Sequence, residues 1–82
     1  MRKAQILRNK IDLHGIKHSE VFGIVDKFIQ ENLYEKEVEI VTGYSHRMKE
    51  LVQEVLSDYN LIGEEPQFND GTLIVKIVWK KR

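Results

Sequence analysis

The alternation of apolar and polar positions divides the chain into strand-like and helix-like stretches. Ile11 and Leu13 alternate with Asp12 and His14, the period-two pattern of a short strand, and Gly15 ends it. Apolar residues at 21, 22, 25, 28, 29 and 33 then recur at helical spacing, with Ser19 as the nearest N-cap and Gly23 as a weak point. Glu37 to Thr42 alternates again as far as Val41, and Gly43 stops this strand as Gly15 stops the first. Met48, Leu51, Val52, Val55, Leu56 and Tyr59 give the cleanest amphipathic helix of the chain. Asn60 to Glu65 reads as a polar connection, Pro66 to Phe68 as a short edge strand, and Asn69-Asp70-Gly71 as a tight hairpin turn. Thr72 to Trp79 is the last strand, with Leu73, Val75, Ile77 and Trp79 on one face and Thr72, Ile74, Lys76 and Val78 on the other.

The order strand, helix, strand, helix, strand, strand predicts an α/β two-layer sandwich. Two right-handed crossovers build a mixed four-stranded sheet with both helices on one face. Residues 1–9 read as a basic N-terminal arm and 10–82 as one domain, because 82 residues support a single modest core. If Ile11 and Leu13 point toward the helices, Asp12 and His14 project from the opposite face at the mouth of a strand-to-helix turn. Such turns are where α/β folds carry their chemistry.

Composition narrows the function classes. There is no cysteine, which excludes disulfides, thiolate catalysis and zinc-thiolate sites. No run approaches the roughly 18 apolar residues of a membrane span, and the first eight residues hold no apolar core for a signal peptide, so a cytoplasmic protein without a membrane partner is expected. The net charge of zero hides an uneven distribution. Residues 1–32 carry six Lys/Arg against four Asp/Glu, 33–65 carry three against eight, and 66–82 carry four against one. A fold that brings both basic ends to one face would present a patch able to bind nucleic acid by counterion release.

The chemistry-bearing candidates cluster near the two glycine stops. His14 has an imidazole that both takes and gives a proton near neutrality, as general acid–base work on a phosphodiester requires. Asp12, two residues earlier, is placed to orient that ring or to hold a divalent cation such as Mg²⁺. The same pair would equally serve to hydrogen-bond loop backbone and hold the turn. Thr42-Gly43-Tyr44-Ser45 leads into a helix start whose free N–H groups suit phosphate, with Ser45 able to act as an ordinary cap. His46, Arg47 and Lys49 follow where the helix dipole alone would favour acids. Tyr44 has the chemistry to stack on a base or ribose, or to anchor the loop. His14, His18 and His46 fit no structural zinc spacing, so His18 is read as a surface residue. Phe68 and Trp79 are read as structural, and Lys80, Lys81 and Arg82 as phosphate contacts or a solubilising tail.

Three stretches in order make the chain resemble the Smr (small MutS-related) domain family. Ile11-Asp12-Leu13-His14-Gly15 matches its hydrophobic-Asp-Leu-His-Gly signature, Thr42-Gly43-Tyr44-Ser45 its Thr-Gly-x-Gly turn, and Met48-Lys49-Glu50-Leu51-Val52 its Leu-Lys-x-x-Val helix; Gly71 to Val78 matches its final glycine and strand. Two departures stand out: Ser45 replaces the second turn glycine, and the loop before the second helix is shortened to His46-Arg47. The resemblance implies nucleic-acid binding and, for several members, endonuclease activity as DNA nicking or RNA cleavage, with the Asp-Leu-His-Gly residues implicated.

The expected protein is therefore a nucleic-acid-binding Smr-like domain acting on RNA or DNA as an endonuclease, with RNA slightly preferred. His14 would move protons, and Asp12 would orient it or hold Mg²⁺. Gly15, Thr42, Gly43, Tyr44, Ser45, His46, Arg47 and Lys49 are the binding candidates, with Gly15 and Gly43 giving the backbone close approach and Arg47 and Lys49 positioning the strand. The alternative is a non-catalytic nucleic-acid or ribosome-associated binding module. A protein–protein module working through Ile74 and Val78 ranks third.

Overall fold

A computed structural model of the chain describes residues 4–67, 69 and 71–77. Seven elements follow one another: β1 (Gln5–Leu7), β2 (Lys10–Asp12), α1 (His18–Glu31), β3 (Glu37–Val41), α2 (His46–Ser57), β4 (Gly63–Glu64) and β5 (Thr72–Lys76). They form an α/β fold with a mixed sheet in the order β1-β2-β3-β5-β4, in which β2 and β3 run parallel and the other neighbours antiparallel. One apolar cluster unites the layers: Ile11, Leu13, Val38, Ile40, Leu73 and Val75 from the sheet side meet Val21, Val25, Phe28, Ile29, Met48, Val52, Val55 and Leu56 from the helices. Each such side chain contributes roughly 1.5–3 kcal/mol when fully buried. On the opposite face of the sheet Lys10 and Glu39, cross-strand partners, form an ion pair at 3.4 Å.

The sheet has five strands where four are expected. The additional one, β1, comes from the segment read as an arm, and it pairs with β2 from Gln5↔Asp12 to Leu7↔Lys10. Arg8, with φ of 51°, makes the reversal between them, and the turn is tied to β3 because Asn9 donates from its side chain to Glu37 O (3.1 Å) and Glu39 N–H donates to Asn9 O (2.8 Å). The edge strand expected at Pro66 to Phe68 lies instead at Gly63–Glu64, where it pairs with Val75 and Ile74. Phe68, Asp70, Val78, Trp79, Lys80, Lys81 and Arg82 lie outside the described residues. Helix α1 is preceded by Lys17 with no side-chain cap, so Ser19 sits inside the first turn. Phe22, expected among the core positions of α1, is exposed. Residues 21 and 22 are about 100° apart around a helix, and Val21 takes the inward place.

The C-terminal end of α2 closes by a Schellman pattern. Leu61 N–H donates to Leu56 O (2.9 Å) and Asn60 N–H to Ser57 O (3.0 Å), with Asn60 in the left-handed region at φ of 58°. Nearby the Tyr59 hydroxyl donates to the Asp26 carboxylate at 2.6 Å and ties the turn after α2 to α1. Burial, and then the hydrogen bond to that carboxylate, push the Tyr59 phenol above its ordinary value. β1 begins at Gln5 beside Asp12 and β5 reaches Lys76 beside Glu37, at opposite ends of the sheet. Among the described residues no helix is long and apolar enough to cross a membrane.

Candidate functional site

Parallel neighbours end on the same side of a sheet, so the carboxyl ends of β2 and β3 bring their following turns together. Leu13 N–H donates to Val41 O (2.8 Å) and carries the pairing one residue past β2. The turn then closes when Ile16 N–H donates to Leu13 O at 3.0 Å, with Gly15 at its third position in the left-handed region, φ of 82°. A side chain there would be strained, and glycine is the residue such turns demand. Leu13 and Ile16 are buried and pin the turn to the core, while His14 between them is exposed. The Asp12 carboxylate bends back to accept the His14 backbone N–H at 2.9 Å. That oxygen holds the backbone that carries the imidazole.

The second turn is built differently. Thr42 N–H and Gly43 N–H both donate to Gly71 O, each at 3.0 Å, so the turn residue just before β5 clamps the end of β3. The buried Thr42 hydroxyl lies 2.8 Å from Gly43 O and 3.3 Å from Gly71 O, the two acceptors for its single proton. Gly43 has φ of 70°, and a methyl group placed on it would sit 3.6 Å from His14 Cδ2. The imidazole edge therefore rests beside a bare stretch of backbone. Ser45 caps α2 by accepting Met48 N–H at 3.1 Å, and Tyr44 before it is 79% exposed.

Asp12, His14, Gly15, Thr42, Gly43, Tyr44 and Ser45 thus meet at one end of the sheet. The three basic candidates do not simply join them. Arg47 reaches Glu50 at 3.3 Å and Glu54 at 3.9 Å, Lys49 reaches Glu65 at 2.6 Å, and His46 lies 3.9 Å from Glu50. These contacts line an open groove of about 1180 Å³ between α2 and the β4–β5 edge, and neither Asp12 nor His14 borders it. The Gln53 amide spans the same groove wall, donating to Gly63 O (2.8 Å) and accepting Gly63 N–H (3.0 Å). The exposed pairs, Arg47 with Glu50 and Glu54, gain little net energy in water and can open to a stronger anion. Lys49, with 18% of its side chain exposed, is the more firmly committed.

The model of the Smr domain family matches residues 11–77, a span that begins at the first buried residue of β2 and includes both turns. This chain belongs to the Smr domain family. No curated protein and no solved structure matches it. Within this Smr domain, no group of three or more His, Asp or Glu side chains among the described residues could hold a metal ion. Asp12 has one carboxylate oxygen engaged by the turn and the other left over, so a Mg²⁺ held there would take the rest of its ligands from water and substrate phosphate. Sequence reasoning passed over three features: the Gly71 carbonyl as the shared acceptor of the second turn, Glu50 and Glu65 as partners of the expected cations, and the exposure of Phe22. The Arg47–Glu50 spacing was a readable signal, since residues three apart are neighbours on a helix.

Proposed function

We propose that this Smr domain binds RNA or DNA and hydrolyses a phosphodiester, with His14 as the proton carrier. The observation that supports the reading is the exposed imidazole lying beside Gly43, where the turns after β2 and β3 meet. In the proposed step a neutral His14 takes a proton from water as the water oxygen attacks phosphorus. The P–O bond to the leaving nucleoside breaks, and the imidazolium returns its proton to the departing oxygen. Asp12 sets the position of His14 through the backbone, and Gly15 and Gly43 allow a phosphate to approach the main chain. Arg47, released from Glu50 and Glu54, draws the strand in.

A second reading, a non-catalytic nucleic-acid or ribosome-associated binding module, draws on the use of the Asp12 carboxylate to secure the turn. Labelled RNA and DNA incubated with the purified chain, with and without Mg²⁺, separate the two. Catalysis requires product that falls by about 10²–10⁴-fold in His14→Ala while binding persists. Binding without product in the unaltered chain leaves the module.

A further inference from the structure

Phe22 is the apolar residue of α1 that the core leaves outside. It is 56% exposed although Val21 and Val25 on either side are fully buried. Its orientation follows from the residue one turn later. Asp26 accepts the hydroxyl of Tyr59, which lies in the turn that closes α2, so that side of α1 is turned toward the C-terminal end of α2. Residues four apart share a helix face, which puts Phe22 on the same side, about 6 Å nearer the start of α1.

Topology fixes what lies at that end. Helix α1 follows β2 and α2 follows β3; because the strands are parallel, both helices begin at the end of the sheet that carries His14 and Tyr44. Tyr44 adjoins Gly43, beside which the His14 ring rests, and it is the other strongly exposed aromatic of this end. Basic residues stand at both helix starts: Lys17 precedes α1 and His18 begins it, and His46 and Arg47 begin α2, with Arg47 held by the exposed Glu50 and Glu54. The first turn of α1 carries Glu20 and that of α2 carries no acid.

We propose that Phe22 and Tyr44 are stacking platforms for two unpaired bases of a single nucleic-acid strand whose phosphate lies at His14. This deepens the nucleic-acid reading above and rests on it, by naming a single-stranded segment as the ligand. Both rings lie at the end of the sheet that carries the His14 turn, and the cations Lys17 and Arg47 at the two helix starts suit a polyanion better than an apolar protein face. A phenyl ring offers no hydrogen bond, so it accepts any base through its π face, whereas a duplex keeps its bases stacked on each other.

The test is equilibrium binding of the full chain, at low salt, to labelled oligouridylate and to a duplex RNA of equal length. Phe22→Ala and Phe22→Leu are expected to weaken single-strand binding by about five- to hundred-fold, while Phe22→Tyr retains it. Duplex binding and unfolding temperature are expected to stay unchanged in all three. Leucine keeps the apolar bulk, so its loss of affinity isolates the ring. If the unaltered chain binds the single strand and the Leu and Ala variants bind it equally well, the stacking proposal is overturned and the nucleic-acid reading stands. If the unaltered chain binds only the duplex, stacking is also overturned. If it binds neither polymer, the nucleic-acid reading fails and takes the stacking proposal with it.

Discussion

In the turn after β2 a carboxylate secures the backbone and an imidazole is exposed; in the turn after β3 the Gly71 carbonyl, just ahead of β5, secures the backbone and the Tyr44 phenol is exposed in place of an imidazole. Asp12 supplies from a side chain what Gly71 O supplies from the main chain just before β5. The helix starts differ as well, since α1 begins without a side-chain cap and α2 begins under Ser45. The contrast shows why one turn carries an acid–base candidate and the other a smooth surface for it to rest beside. A turn held by its own side chain needs a second polar residue to do chemistry, and His14 is the one available.

Removing the anchor of the first turn is the strongest way to break this contrast. Leu13→Ala empties a fully buried site and is expected to cost about 2–5 kcal/mol in urea unfolding. A loss below 1 kcal/mol would mean that the turn is not pinned through Leu13. Gly43→Ala comes next, because it forces a side chain into the left-handed region at about 1–2 kcal/mol. Its methyl would meet the imidazole edge at ordinary contact distance, so imidazole proton shifts in NMR should move while the remaining spectrum holds. Ser45→Ala tests the second turn alone and should cost about 1 kcal/mol, with His14 resonances unchanged.

The smallest effect serves as a control away from both turns. The folded chain holds the Tyr59 phenol above its ordinary value near 10, so below that pH its contribution to stability is complete. Above it the unfolded chain releases the proton first, and stability falls as pH rises toward the folded value. Unfolding followed from pH 8 to 11 should show that decline in the unaltered chain and a shallower one in Tyr59→Phe. Identical slopes would remove Tyr59 as the cause.

Both helices and β3 were legible because their apolar residues repeat at the period of the element they form. The cap at Ser45 was legible too, since it stands just before a strong helical repeat. β1 was not: Gln5-Ile6-Leu7 is too short to show a period, and its turn uses Arg8 in a conformation that a glycine would normally announce. β4 has two residues and is defined by pairing with β5, which no local pattern encodes. At the site, the proximity of the two glycine stops followed from parallel strands. The Lys49–Glu65 contact did not, because it depends on where the connection after α2 travels. The exposure of Phe22 was not legible, because helical spacing alone gives an arc of apolar positions wider than the face that packs.

The two hydrogen bonds between Gln53 and Gly63 reach beyond the groove they cross. Gly63 is the residue of β4 whose N–H and C=O both face away from β5, and one amide occupies both. A foreign strand approaching that rim meets main-chain groups already spoken for, which guards this border of the sheet against runaway polymerisation.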